Sequence, residues 1–178
     1  MSIKTIVNLY SSFFELLRLR KKPQDIEISK KDLFEIIIIY FFIGYLVALI
    51  LLSADLALPL AFLDICLLTG FTYCCLLICG FINRWRQTVA AIAGTSTIIN
   101  VLAFPVLWLT KYFDNIVILS SISSGFLIGL LVWSIIINGH IFRYAFSILF
   151  AGGIAIAVLY YLLMNTLIAI FIPEYFQQ

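Results

Sequence analysis

The sequence predicts an all-α polytopic membrane protein, a five-helix transmembrane bundle with an N-terminal amphipathic interfacial helix. Of its 178 residues, 64% are apolar and 11% are charged, whereas a soluble domain carries about 25% charged residues. Twelve charged residues fall within residues 1–35, so a polar segment, 1–32, precedes a long apolar one, 33–178. This composition excludes a soluble enzyme, a secreted disulfide-stabilised domain and a disordered chain. A formal net charge of +2 gives no support for nucleic acid as a partner.

The polar segment begins with an amphipathic helix. Its apolar residues recur at steps of three and four, as one face of a helix requires, and they are Ile3, Ile6, Val7, Tyr10, Phe13, Phe14 and Leu17. A basic cluster and a proline end this helix: Arg18, Arg20, Lys21, Lys22 and Pro23. The apolar face either enters the cytoplasmic leaflet, with the cations near anionic lipid headgroups, or packs against the protein's own spans.

Five stretches within residues 33–178 are long and apolar enough to cross a bilayer. A hydrocarbon core of about 30 Å needs roughly 20 helical residues, because each residue adds about 1.5 Å. The spans are predicted at about 33–52, 59–82, 87–109, 116–137 and 141–172. Ser29 and Asp32 have the spacing of a capping box before the first span, and Pro59 suits the first turn of the second. A turn at 138–140 is expected to separate the last two spans.

The basic residues predict the orientation of these spans. With five spans, the N-terminal segment and the loops after the second and fourth spans share one side of the membrane. That side holds ten Lys and Arg residues, and the other side holds Lys111. Because cytoplasmic segments carry the excess of Lys and Arg, the N-terminus is predicted to be cytoplasmic and the tail, 174–178, to lie outside.

Polar residues within the spans are candidates for a functional site, because a charge in lipid costs about 2.5 kcal/mol or more. Asp64 is expected in the second turn of its span, near the outer surface. Two interpretations are open. Either its carboxylate faces a polar cavity or a proton path, or it reaches the membrane interface or hydrogen-bonds to a neighbouring helix. Asn100 is expected to hydrogen-bond between helices, as are Asn138 and Asn165.

The second span also contains Cys66, Cys74, Cys75 and Cys79. These residues either bind a soft metal ion or serve as small apolar side chains. No histidine accompanies them, so no metal site is predicted. No cofactor motif and no catalytic set of residues is recognisable, so enzymatic activity is not expected.

Two further patterns concern the loops and the helix surfaces. His140 and the arginines at 84, 86 and 143 form a predicted cytoplasmic cluster, which either holds lipid phosphate or an acidic partner, or anchors the spans by its charge. Ser121, Gly125 and Gly129 recur every four residues and predict close approach of a helix, either within the chain or from a second copy.

The chain resembles the Yip family of five-span membrane proteins, and it is most similar to small bacterial inner-membrane members without an assigned function. The resemblance covers residues 33–172 and is carried by the segments Arg84-Trp85-Arg86-Gln87-Thr88, Gly94-Thr95, Ala103-Phe104-Pro105 and His140-Ile141-Phe142-Arg143. It implies a five-helix fold, a bacterial inner membrane and a scaffold or membrane-organising role. The acidic tyrosine motif of the eukaryotic members is not visible, so their GTPase partners are not expected here.

Two functions are therefore predicted. The first is a non-enzymatic scaffold that binds membrane lipids, a protein partner or a second copy through its basic cytoplasmic residues: Arg18, Arg20, Lys21, Lys22, Arg84, Arg86, His140 and Arg143. The alternative is a small transporter or channel, in which Asp64, Asn100 and the neighbouring residues 95–97 line a polar path.

Overall fold

A computed structural model describes residues 3–112 and 117–171, and side chains within 9–112 and 119–171. Over those residues the helices are α1 (Ile3–Leu17), α2 (Lys30–Leu51), α3 (Ala54–Ile78), α4 (Trp85–Tyr112), α5 (Val117–Phe146) and α6 (Phe150–Phe171), with 3₁₀ turns at Pro23–Asp25 and Ile82–Arg84. Helices α2 to α6 are long and apolar enough to cross a membrane. The predicted all-α, five-helix transmembrane bundle is confirmed, and the chain is an integral membrane protein.

The two ends of the bundle differ in charge. Helix α2 begins at Lys30, Arg84 ends the 3₁₀ turn before α4, Arg86 lies in the first turn of α4, and Arg143 lies in the last turn of α5. These residues define the basic end. The opposite end, called the far end, is formed where α2 meets α3 and where α4, α5 and α6 have their other termini. At the far end Lys111 donates a hydrogen bond to the carbonyl oxygen of Ile50 and so joins α4 to α2.

Helix α4 lies at the centre of the bundle. It contacts α1, α2, α3 and α5, and every residue from Thr88 to Thr95 is buried. Small side chains in this run let its neighbours approach closely. The hydroxyl groups of Thr88, Thr95 and Thr97 each donate to the carbonyl of the residue four positions earlier, so these polar groups are satisfied by α4 and the turn before it.

The amphipathic helix α1 packs against the protein's own spans, which is the second of the two predicted alternatives. Leu9, Phe13 and Leu16 are 5%, 1% and 0% exposed, respectively. The ring of Phe13 occupies the space above Gly94 of α4, where a Cβ atom would lie 2.4 Å from it. Leu9 and Leu16 were not part of the predicted apolar face, and Phe14, which was, is exposed. The predicted residues Tyr10 and Leu17 are half-buried. The side chains of the remaining predicted residues, Ile3, Ile6 and Val7, lie outside the described residues.

Helix α3 begins earlier than predicted. It starts at Ala54, with Ser53 as its N-cap residue, and Pro59 lies inside the helix. The capping box of Ser29 and Asp32 before α2 is confirmed. The early start matters for Asp64, which is ten residues into α3 and therefore about 15 Å along its axis. Asp64 lies near the middle of the span, and its predicted place near the outer surface is wrong.

The predicted turn at 138–140 is also wrong. Helix α5 continues through these residues to Phe146, and α6 begins at Phe150. Gly139 serves close helix contact instead, because a Cβ atom on Gly153 of α6 would lie 2.2 Å from the Gly139 carbonyl oxygen. The chain reverses at Ser147, whose φ is +55°. The last predicted residue of the fifth span, at 172, and the tail lie outside the described residues.

A polar chamber between the five spans

The Asp64 carboxylate of α3 is held by tyrosines from two other spans. The Tyr40 hydroxyl of α2 donates to Asp64 Oδ2, and the Tyr160 hydroxyl of α6 donates to Oδ1 over 3.2 Å. Both tyrosines are 5% exposed. Each lies ten residues from the start of its helix at the basic end, while Asp64 lies ten residues from the far end. These distances, about 15 Å each, bring the three side chains together in the middle of the membrane.

A second group of polar side chains joins α5 to α6 beside Asp64. The Tyr161 hydroxyl lies 2.5 Å from Ser134 Oγ and accepts a hydrogen bond of 3.1 Å from Asn138 Nδ2. Ser134 and Asn138 are 7% and 2% exposed. Asn138 was predicted to bond between helices, and this is confirmed. Asn165 instead donates to the carbonyl oxygen of Tyr161 in its own helix.

Helix α4 completes the site with Ser96 and Asn100. Together with the tyrosines, Asp64, Ser134 and Asn138, they line a cavity of about 190 Å³ that we call the polar chamber. Neither Ser96 nor Asn100 forms a side-chain hydrogen bond with another described residue, so both can bind a ligand in the chamber. The expectation that Asn100 bonds to another helix does not hold over the described chain. All five spans therefore contribute a polar group to one place.

The other residues of the predicted polar path do not line the chamber. Thr95 and Thr97 bond to carbonyl groups of α4, as described above, whereas Asp64, Ser96 and Asn100 do line it. Sequence reasoning missed Tyr40, Tyr160, Tyr161 and Ser134. In a hydropathy pattern a tyrosine inside an apolar helix counts as an apolar residue. The one available signal was its hydroxyl group, which would lie about ten residues from the helix end and therefore deep in the span.

A second cavity lies beside the polar chamber, on the side of the far end. It has a volume of about 220 Å³ and shares Asp64, Asn100 and Met164 with the chamber. Its remaining walls include Leu51 and Leu52 at the end of α2, and Leu60 near the start of α3. We call it the apolar vestibule, because its lining beyond Asp64 and Asn100 is hydrophobic.

On the other side of the chamber, towards the basic end, aromatic rings fill the bundle. The Phe71 ring lies 6.2 Å from that of Phe142 and 5.6 Å from that of Tyr160, measured between centroids. Phe142 also stacks on Phe146 at 5.8 Å, and both are buried. Phe71 lies seven residues beyond Asp64 on α3, about 10 Å nearer the basic end. We call this group the aromatic barrier.

Two members of the predicted basic cluster have structural contacts. Arg84 Nη1 donates to the carbonyl oxygens of Tyr144 and Ala145 and to Ser147 Oγ, at 2.7 to 3.1 Å. It thus binds the otherwise unsatisfied carbonyls at the end of α5. His140 is 6% exposed, and its Nε2 lies 3.1 Å from the carbonyl oxygen of Lys21. It joins the segment after α1 to α5 and does not lie on the basic surface.

The remaining basic residues lie on or near the surface of the basic end. Of the predicted binding residues, those that are exposed are Arg18, Arg20, Lys22, Arg86 and Arg143. The cations of Lys22 and Arg143 lie 5.5 and 5.2 Å from the centroid of one ring, that of Tyr144. Lys21 is half-buried and donates to Ser12 Oγ over 2.8 Å. The fold therefore brings cations from two distant parts of the sequence to one aromatic ring.

The predicted small-residue ridge is directed away from the bundle. Gly125 and Gly129 are exposed, and a Cβ atom on either would meet no described atom within 4 Å. The intramolecular alternative for these two glycines is therefore wrong over the described chain. Ser121 is likewise on the exposed side of α5. The other alternative, close approach of a second copy of the chain at these residues, stays a prediction.

The cysteines lie along α3 without a common ligand site. Cys66, Cys74 and Cys79 are exposed, and Cys75 is half-buried. Within residues 3–112 and 117–171, no three His, Cys, Asp or Glu side chains are grouped closely enough to hold a metal ion.

Comparison of the chain with protein families, with characterised proteins and with solved structures gave no match. The resemblance to the Yip family stays a prediction.

Proposed function

We propose that the protein is a small membrane transporter or channel whose substrate binds in the polar chamber. The single observation behind this proposal is the convergence of all five spans on Asp64 in the middle of the membrane. An ionisable residue at this depth is costly, and such residues usually mark a substrate, ion or proton pathway. Ser96 and Asn100 add polar groups that no other described residue uses, as a binding site requires.

The connection to the apolar vestibule also supports a transport function. A polar group buried only to join helices needs no cavity beside it. Here the chamber has a volume of about 190 Å³ and adjoins a second cavity, whose lining includes residues near the far end. A chamber of this size has room for several water molecules, since one water needs at least about 10–15 Å³ of such space. This arrangement supports a route by which a small solute or ion reaches Asp64 from the far end, away from the aromatic barrier.

The proposal is tested with the full chain in proteoliposomes. Uptake of H⁺, Na⁺, K⁺ and radiolabelled methylammonium is measured for the native protein, Asp64→Asn and Asp55→Asn. Asp55 is the matched control, because it is an exposed carboxylate in the first turn of the same helix. We expect uptake of at least one probe that Asp64→Asn reduces tenfold or more and Asp55→Asn leaves unchanged. Equal uptake by native protein and Asp64→Asn would overturn the proposal.

The second candidate function is the predicted scaffold, and one observation favours it. Lys22 and Arg143 approach the same Tyr144 ring, and Arg86 is exposed at the same end. A cluster of cations beside a membrane attracts anionic headgroups at about 1 kcal/mol each. We propose binding of anionic lipid or an acidic protein at this surface, without enzymatic activity.

This candidate is tested by neutralising Lys22, Arg86 and Arg143 together to glutamine. Arg84 is left intact, because it binds the end of α5. We expect less anionic phospholipid or partner protein to co-purify in mild detergent, while Lys111→Gln at the far end changes nothing. Unchanged co-purification in the triple variant would reject this function.

A further inference from the structure

The charge of the polar chamber defines the class of ligand it attracts. Asp64 is the one formally charged side chain among the described residues that line the chamber and the vestibule. Lysines and arginines are absent from both linings, so an anion would meet an uncompensated carboxylate at low dielectric. A cation would be attracted by the same carboxylate.

The hydrogen bonds of the chamber favour oxygen coordination of that cation. Tyr40 and Tyr160 each direct their hydroxyl proton at Asp64, which leaves the phenol oxygen lone pairs available. Asp64 keeps further lone pairs of its own, and Ser96 and Asn100 add a hydroxyl and a carbonyl oxygen without a described partner. Oxygen ligands of this kind suit hard cations.

The number of carboxylates limits the charge of the ligand. A monovalent cation beside Asp64 leaves the chamber neutral, whereas a divalent one leaves a net positive charge within the membrane, which is costly. Divalent sites in proteins usually gather several carboxylates, and here one is present. A volume of about 190 Å³ accommodates an alkali cation with part of its hydration shell, or a small ammonium ion.

We propose that the polar chamber binds a small monovalent cation, which reaches Asp64 from the far end through the apolar vestibule. This inference rests on the proposed transport function and names its substrate class. The aromatic barrier closes the direct route from the basic end, where the exposed cations also repel a positive ligand. This route predicts that a cation enters the chamber from the far end in the conformation described here.

Cation binding is tested without measuring transport. The thermal unfolding of purified protein in detergent is followed in LiCl, NaCl, KCl and methylammonium chloride, with choline chloride at equal ionic strength as reference. We expect one small cation to raise the unfolding temperature by about 3 °C or more at ten times its dissociation constant. Asp64→Asn should lose this rise, and Asp55→Asn should keep it. Equal temperatures in all salts, or an equal rise in Asp64→Asn, would overturn the inference.

The route is tested by thiol accessibility in a background where the four native cysteines are replaced by alanine. Ag⁺, a small monovalent cation, is added from either side of oriented vesicles, and the remaining free thiol is labelled after denaturation. Asn100→Cys in the chamber should react from the far end alone. Leu68→Cys, 1% exposed in the native protein and one turn beyond Asp64, is the matched control and should not react. Reaction of Asn100→Cys from the basic end, or from neither end, contradicts the proposed route.

The two proposals fail in different ways. Cation-specific stabilisation that depends on Asp64, without uptake in vesicles, would preserve the binding site and remove the transport function. Uptake of a probe that depends on Asp64, without stabilisation by any monovalent cation, would preserve transport and overturn the substrate class.

Discussion

The Tyr160 hydroxyl donates a hydrogen bond to the Asp64 carboxylate over 3.2 Å. This bond joins α6 to α3, two helices separated in sequence by α4 and α5. Because Tyr40 binds the other carboxylate oxygen, Asp64 fixes the relative positions of three spans. The chamber therefore contributes to the stability of the bundle as well as forming a binding site.

The first prediction concerns this bond. Tyr160→Phe should lower the free energy of unfolding by about 1 to 2 kcal/mol, because it leaves a buried carboxylate oxygen without its donor. The same substitution should have little effect when Asp64 is already replaced by leucine. Both values come from denaturant unfolding in detergent, compared in a double-mutant cycle. Tyr73→Phe, on the exposed side of α3, is the control. Equal effects of Tyr160→Phe in both backgrounds would show that the bond is energetically unimportant.

The second prediction concerns the contact between α1 and α4. Gly94→Ala should displace the Phe13 ring and cost about 1 to 3 kcal/mol, as overpacking of a buried site does. The control is Gly70→Ala, whose added Cβ atom would meet nothing within 4 Å. Hydrogen exchange should then increase in α1 for Gly94→Ala but not for Gly70→Ala. Unchanged exchange in both would mean that α1 does not depend on this contact.

The third prediction separates two kinds of glycine. Gly153→Ala should strongly destabilise the protein, because the new Cβ atom would lie 2.2 Å from a backbone carbonyl of α5 that cannot move aside alone. Gly129→Ala should be neutral or stabilising by up to about 1 kcal/mol, since it lies in an open part of a helix. Thermal unfolding of the two variants in detergent shows which variant loses more stability. Equal losses would contradict the close contact of α5 and α6.

The fourth prediction concerns Arg84. Its replacement by glutamine should release the carbonyls of Tyr144 and Ala145 and so loosen the connection between α5 and α6. Loss of charge-assisted hydrogen bonds of this kind costs about 1.5 to 3 kcal/mol. Faster amide exchange at residues 144–149 is the direct measurement. Arg86→Gln, which removes an exposed arginine two residues away, should leave this exchange unchanged.

The fifth prediction concerns orientation. Five spans place the two termini on opposite sides of the membrane, with the N-terminus on the cytoplasmic side because of the excess of Lys and Arg there. Reporter proteins fused separately to each terminus of the full chain should be active in opposite compartments. Two reporters on the same side would exclude five spans, and reversed sides would exclude the predicted orientation.

Composition and periodicity alone determined the membrane environment, the number of spans and the basic end. These properties follow from local free energies, because each apolar segment must satisfy its backbone hydrogen bonds within a helix. The same local reasoning placed Asp64 too near the surface, since Pro59 looked like a helix start. It also placed a turn at Gly139, since an isolated glycine signals a turn or a close contact equally well.

The tertiary structure decided which side chains meet. The apolar face of α1 could be buried in lipid or in protein, and the burial of Leu9 and Leu16 together with the fit of Phe13 over Gly94 shows that protein covers it. Likewise, residues 40, 64, 96, 134 and 160 come from five separate helices, and no local pattern links them. Their convergence depends on the rotation and depth of every helix, which the packing of all five spans sets together.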